Sequence, residues 1–227
     1  EVTEMIEADE IDILIFLAGR FDENRPIIAT YRPAPIQVSF HDCATSGSDE
    51  IDYWLTDLDL HPENTKEMFT EKLFHLANLY QFSVPDHLPQ VAQFPFFSNN
   101  YITFGSLSKP EKINDETISL WADVLLKIPG SKLLLQYRNL FSGEIKQDWI
   151  SKFASHGVDP RQIILIGEIL EQSDHLALYS QIDIALDPFP FNGATTTFEA
   201  LLMGVPVVSL EGKRFVDRVS SSILKQC

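Results

Sequence analysis

Cysteine is scarce: 227 residues hold two, Cys43 and Cys227. Two distant thiols build no disulfide framework, and their scarcity fits a reducing, cytoplasmic compartment. No apolar run reaches the roughly 18 residues that mark a membrane-spanning helix, and no signal-peptide pattern is present. Positive charge is also short. Seventeen Lys and Arg stand against 33 Asp and Glu, a formal net charge of −16. That balance argues against nonspecific binding to nucleic acid or anionic membrane. A phosphate site in such a chain must rest on local amides, helix dipoles and a few placed cations. Internal repeats and low-complexity tracts are missing too. What remains is ordinary globular composition, 44% hydrophobic and 22% charged, enough for one large α/β domain or two small ones.

Short apolar runs bounded by turn residues predict strands at 11–18, 36–40, 53–56 and 73–75. These are too few for a complete doubly wound domain and read as its later half, spanning 1–92 with the start of a linker. Arg32-Pro33-Ala34-Pro35 reads as rigid and extended. Residues 81–100, with Pro85, Pro89, Pro95 and Asn99-Asn100, form the linker, and Phe94, Phe96 and Phe97 are expected to pack on a domain face. From 93 to 227 the alternation is regular. Strands are expected at 101–105, 132–136, 162–166, 182–186 and 206–209, and helices at 114–128, 144–156, 173–180, 195–203 and 214–225. Such alternation predicts a parallel sheet covered on both faces, with ligands beyond the carboxyl ends of its strands. The chain opens on Glu-Val-Thr and closes inside a helical pattern, so it is expected to be a fragment.

The stretch from Asp183 to Leu210 organises the rest. Ile182 to Leu186 predicts a buried strand that runs into Asp187-Pro188-Phe189-Pro190, where two prolines stiffen the exit. Asn192-Gly193 predicts a tight turn with the glycine at positive φ. Thr195, Thr196 and Thr197 then open a helix that Gly204 stops. Strand, glycine turn and helix start make an anion site, because the first-turn amides have no partner within the helix. The threonine hydroxyls suit a diphosphate, and Glu199 stands where a carboxylate could hold two ribose hydroxyls. Thr196-x-x-Glu199 is equally a capping box, which needs no ligand.

This stretch resembles the nucleotide-binding segment of the O-GlcNAc transferase family, including its bacterial and SPINDLY-like relatives. There a proline-containing loop leads into Gly-x-Thr-Thr and an acidic residue, here Gly193, Ala194, Thr195, Thr196 and Glu199. Arg32-Pro33-Ala34-Pro35-Ile36-Gln37 is nearly word for word another family signature. The resemblance covers most of the chain. It implies an α/β GT-B fold, two Rossmann-like domains of which the second, 93–227, binds a nucleotide sugar. It further implies an inverting glycosyltransferase that moves a sugar from a UDP-sugar, UDP-GlcNAc first among them, to a Ser/Thr hydroxyl of a protein or peptide, with no metal on the diphosphate. In the family, a loop of Phe, Asn, a polar residue, two more residues and Lys brings a lysine to the donor diphosphate. The resemblance puts that lysine at Lys109, as the catalytic residue, and the polar residue at Ser106. A family histidine beside the uracil falls at His175. A nearby family lysine is replaced by Gln172, leaving uracil contacts to backbone around Leu170.

One segment departs from the family. Where relatives show a Leu-Gly-Tyr-Pro-type run in a loop facing the sugar, this chain has Phe40-His41-Asp42-Cys43-Ala44-Thr45-Ser46-Gly47. Two other readings therefore stay open: another sugar-nucleotide enzyme of the same architecture, such as an epimerase, and a non-catalytic binding or scaffold domain. His41, Asp42 and Cys43, with His61 or His75, do not read as a metal site, because neighbouring residues on a strand end point to alternate faces. Nor does a Cys43–His41 pair carry any other sign of acyl transfer. Lys213 and Arg214 read as an exposed helix start, and Tyr137-Arg138-Asn139 ends a strand whose outlook the sequence leaves open.

Overall fold

The computed structural model describes residues 1–17, 24–41, 43–138, 143–168 and 170–227. Arg20, Asp22, Glu23, Asp42 and Asn139 lie outside the described residues. The chain forms two compact units, Glu1–Gln81 with Gly212–Arg218, and Phe82–Glu211 with Val219–Cys227.

The first unit holds helix α1 (Val2–Ala8) and strands β1 (Ile13–Leu17), β2 (Ile36–Phe40), β3 (Tyr53–Thr56) and β4 (Lys72–His75). The strands are parallel in the order β1-β2-β3-β4, with Ile15 opposite Val38 and Ser39 opposite Trp54. Arg32 is not extended as expected. It caps a 3₁₀ turn over Pro26–Tyr31 in the left-handed region, φ 44° and ψ 57°. Its guanidinium repays that conformation by pairing with Asp52 at 3.1 Å and Glu50 at 3.4 Å.

The second unit holds β5 (Thr103–Ser106), α3 (Asp115–Lys127), β6 (Lys132–Gln136), α4 (Gly143–Ser155), β7 (Ile163–Ile166), α5 (Gln172–Ala177), β8 (Ile184–Leu186), α6 (Thr195–Leu202), β9 (Val207–Val208) and α7 (Val219–Lys225); the short α2 (Phe96–Asn99) precedes them. Its strands are all parallel in the order β7-β6-β5-β8-β9. The sheet is buried on both faces, as its continuous apolar runs require. Leu133 and Leu135 join Trp121, Leu125 and Phe153 on one side. Leu134 joins Leu176, Tyr179, Ala200 and Met203 on the other. Each helix is cut to fit. Asn114 caps α3 through the Thr117 amide at 2.8 Å, and Ile118, Trp121, Ala122 and Leu125 form its buried stripe. Gly204 stops α6 as foreseen, at φ +76°, with Gly204 N–H on Leu201 O and Val205 N–H on Ala200 O. That pair of bonds is the Schellman pattern.

Several expectations shift. The break between units falls at Gln81/Phe82 rather than 92/93. Phe82 stacks on Phe198 at 5.3 Å, which ties the 80s segment to the second unit. Phe94, Phe96 and Phe97 are exposed. Their segment is held instead by backbone, the Phe96 and Thr103 amides donating to the two oxygens of Asp183, each at 2.8 Å. The expected helix 214–225 is a 3₁₀ turn, Phe215–Asp217, followed by α7. Arg218 separates them, its guanidinium turned back to the Gly212 carbonyl at 3.1 Å. Among the described residues no helix is long and apolar enough to cross a membrane.

Candidate functional site

Order β7-β6-β5-β8-β9 means the chain leaves β5 toward one edge and returns on the other side, so β5 and β8 flank the point where the winding reverses. Loops at the carboxyl ends of two such strands part and leave a crevice. Here those loops are Leu107–Lys112 after β5 and Asp187–Ala194 after β8. A pocket of about 670 Å³ opens between them, floored by the start of α6 and walled by α5 and the end of β6.

Five of the seven residues expected from the sequence line this pocket: Lys109, His175, Thr195, Thr196 and Glu199. Thr195 and Thr196 stand at the first turn of α6, and the Thr197 amide already bonds Ala194 O at 3.1 Å. The open amides of the helix start are therefore those of Thr195 and Thr196. Thr196 Oγ1 also lies 3.3 Å from Ser108 Oγ.

Ser106 and Thr197 do not reach the pocket. Both are buried, and both line a crevice of about 20 Å³ that shares Leu107, Ser108 and Thr196 with it. Ser106 ends a strand with every residue buried, and Thr197 Oγ1 lies 2.7 Å from Ser220 Oγ on α7.

The capping-box reading of Thr196 and Glu199 fails on geometry. The helix N-cap is Ala194, with no side-chain cap bond. Glu199 Oε2 instead lies 3.1 Å from His175 Nε2 and accepts from Tyr179 OH at 3.2 Å. Tyr179 also reaches Thr196 O at 3.1 Å. Burial raises the Tyr179 phenol well above its ordinary range, and the Glu199 carboxylate adds to the rise. It stays a neutral donor that locks Glu199 in place. Glu199 thus joins α5 to α6 and fixes the His175 ring edge at the pocket wall.

Gly193 is not the positive-φ turn residue expected. It is glycine because of close approach. A Cβ there would collide with Thr196 Oγ1 and stand 3.0 Å from Asp187 Oδ1 and from Thr197 Oγ1.

The residue that sequence reasoning passed over is Lys112. It lines the pocket, its Nζ donates to Asn192 O at 2.7 Å, and it lies over the Phe191 ring at 4.2 Å. Lys109 is exposed, with no ion pair among the described residues. The signal was present. Counting the family loop with Leu107 at the aromatic place puts Ser108 at the Asn, Lys109 at the polar residue and Lys112 at the lysine. Gln136, Tyr137 and Arg138 also line the wall, which answers the question left open for that strand end. Lys109, Lys112 and Arg138 set three cations against the single carboxylate of Glu199. In a chain of net charge −16, that is a local reversal of sign suited to an anion.

His61 is fully buried, its Nδ1 lying 2.7 Å from Thr56 Oγ1, and His75 Nε2 lies 2.9 Å from the His61 carbonyl. Among the described residues no group of three or more His, Cys, Asp or Glu is placed to hold a metal.

The second unit is thus a Rossmann-like domain, a parallel α/β sheet with a cationic pocket suited to an anion at its winding reversal. The chain matches the model of glycosyl transferase family 41 over residues 1–97 and 91–227, and it belongs to that family. It is 35% identical over 227 residues to a protein of Solanum lycopersicum named probable UDP-N-acetylglucosamine–peptide N-acetylglucosaminyltransferase SPINDLY. It is 30% identical over 233 residues to the SEC protein of Arabidopsis thaliana, which carries the same enzyme name. The matches cover 99% and 98% of this chain but 24% and 23% of those proteins. The chain therefore spans about a quarter of the length of these curated relatives. The structure of a K341M mutant of Thermobaculum terrenum O-GlcNAc transferase superposes with a TM-score of 0.92 at 34% identity, covering 99% of this chain and 42% of that one. The GT-B fold follows from that match.

Proposed function

We propose that this chain is the donor-binding part of an inverting glycosyltransferase that moves GlcNAc from UDP-GlcNAc to a Ser or Thr hydroxyl of a protein, working in the cytoplasm. The observation that carries the reading is the convergence on one pocket of Lys112, Lys109 and the open amides of Thr195 and Thr196. The hydroxyl oxygen attacks the anomeric carbon from the face opposite the diphosphate, the bond from that carbon to the phosphate oxygen breaks, and the hydroxyl proton is released to a base. Negative charge then builds on the leaving UDP. Preorganised donors aimed at that charge lower the barrier most, and here two ammonium groups and two amides stand where a metal would otherwise serve. Tethered on Asn192 O, Lys112 is the better-fixed cation; Lys109 is the exposed second one. The His175 ring edge, with Leu170 and Gln172 beside it, forms the base subsite, and the Glu199 carboxylate that holds His175 offers an oxygen to the ribose. Family membership and the names of the relatives support the donor and acceptor classes.

Calorimetric titration of the 227-residue chain with UDP, ADP and GDP tests this reading. UDP is expected to bind at least tenfold more tightly than either control. A folded chain that prefers ADP or GDP, or binds none of the three, overturns it.

A further inference from the structure

The turn that faces the pocket is held from behind by a carboxylate outside it. Asp187 follows β8 directly and does not line the pocket. Its Oδ1 accepts the Gly193 N–H at 2.7 Å, and its Oδ2 accepts the Ser209 hydroxyl at 2.7 Å. Three more bonds converge on the same turn. Lys112 Nζ donates to Asn192 O at 2.7 Å, Ser220 Oγ to Gly193 O at 3.0 Å, and Asn192 Nδ2 to Pro188 O at 3.1 Å. The missing Cβ of Gly193 is what lets the carboxylate come so near.

A charged acceptor here is costly. Burial pushes the Asp187 carboxyl up to about 6, against the opposing pull of Ser209, Gly193, Ser220 and the Lys112 ammonium. A neutral acceptor would satisfy one amide without that cost. The carboxylate gives a charge-assisted bond of roughly twice neutral strength, and its charge draws Lys112 toward the turn. Strain of this kind is commonly kept where it preorganises a site.

Resting on the donor reading above, we infer that Asp187 is a positioning residue for the nucleotide donor. Its carboxylate fixes the Gly193 amide and attracts Lys112, so that the Thr195 and Thr196 amides and the Lys112 ammonium meet the diphosphate already arranged. It acts through Gly193 and Lys112 and touches no substrate.

Two measurements on the same chain test this, with Asp187→Ala, Asp187→Asn and Ser209→Ala as variants. Hydrogen exchange of the Gly193 amide, the one Asp187 holds, reads the clamp without any ligand. Calorimetry with UDP, well below the melting temperature of each variant, reads its consequence. Asp187→Ala is expected to speed exchange of that amide at least tenfold and to weaken UDP at least tenfold. Asp187→Asn keeps one neutral acceptor and is expected to lose about threefold in affinity. Ser209→Ala, which spares the Gly193 bond, is expected to stay within twofold of the parent. If Asp187→Ala does not fold, Asp187→Asn carries the test. A parent that binds UDP while the Asp187 variants bind it as tightly or more tightly overturns this inference alone. A folded parent that binds no UDP, with faster Gly193 amide exchange in the variants, overturns the donor reading and the positioning role with it.

Discussion

Two carboxylates of the first unit and one of the second are treated in opposite ways. In the first, Glu71 is buried, yet the Thr45 hydroxyl at 2.7 Å and the Ser46 amide at 2.6 Å hold it below the usual carboxylate range despite the cost of burial. Asp52 is likewise lowered against burial by the Gln37 amide and the Arg32 guanidinium. In the second unit, burial wins at Asp187 and raises it to about 6. The first pair fastens loops at a profit. The other sits behind a pocket and costs stability at neutral pH, which marks it as kept for what it arranges.

Their signs predict opposite pH responses. A lowered carboxyl such as Glu71 contributes stability above its unfolded value near 4.5 and loses it as pH falls through the folded value. A raised one such as Asp187 contributes most below its unfolded value near 3.8 and loses that as pH rises through about 6. Glu71→Gln is therefore expected to destabilise by about 2 kcal/mol at pH 7.5 and by much less at pH 3.5. Asp187→Asn is expected to gain about 2 kcal/mol relative to the parent between pH 4 and pH 7.5. Urea unfolding of the three proteins at these pH values measures both. Parallel rather than opposed trends would erase the distinction between these carboxylates.

At the site, the contrast lies between a tethered cation and an untethered one. Lys112→Ala removes an ammonium already placed on Asn192 O and is expected to weaken UDP by tenfold or more, about 1.4 kcal/mol. Calorimetry at 50 and 300 mM salt should show the loss at both. An unchanged affinity would transfer the diphosphate role elsewhere on the pocket wall.

How these residues escaped or yielded to sequence reading follows from the range of the forces involved. The strands of the second unit were legible because continuous apolar runs such as Leu133-Leu134-Leu135 must be buried on both faces. Gly204 was legible because helix stopping is local. Thr195, Thr196, Glu199 and His175 were brought into one pocket as the motif implied. Thr197 looked identical to its neighbours, and only the helix phase turns its hydroxyl away from the pocket toward Ser220. Glu199 sits three residues after Thr196, so local spacing offered a cap, whereas Tyr179 and His175 claim it from another helix. Phe97 was expected to pack, but in the same proline-rich segment it is Phe82 that does, against a partner, Phe198, that lies more than a hundred residues away.

That helix phase can itself be tested. Thr197→Val keeps the shape of the side chain and removes the hydroxyl bonded to Ser220. It is expected to cost about 1 kcal/mol in unfolding free energy and to leave UDP affinity within twofold. Thr196→Val should do the reverse, because its hydroxyl lines the pocket. An equal loss of binding from both would mean that α6 presents its whole first turn to the ligand.

The smallest effect belongs to Lys109. It is exposed, and nothing among the described residues holds it, so any contact with the donor must first immobilise a long side chain in water. An exposed ion pair gains about 0.2–1 kcal/mol after that entropy cost. Lys109→Ala is thus expected to weaken UDP about threefold, with the difference vanishing near 300 mM salt as the Debye length shrinks below about 6 Å. The Lys112→Ala loss, set in a partly buried and tethered geometry, should survive the same salt. If instead Lys109→Ala costs more than Lys112→Ala, donor binding must recruit the exposed lysine into a fixed contact, and Lys112 is left to hold the Asn192–Gly193 turn.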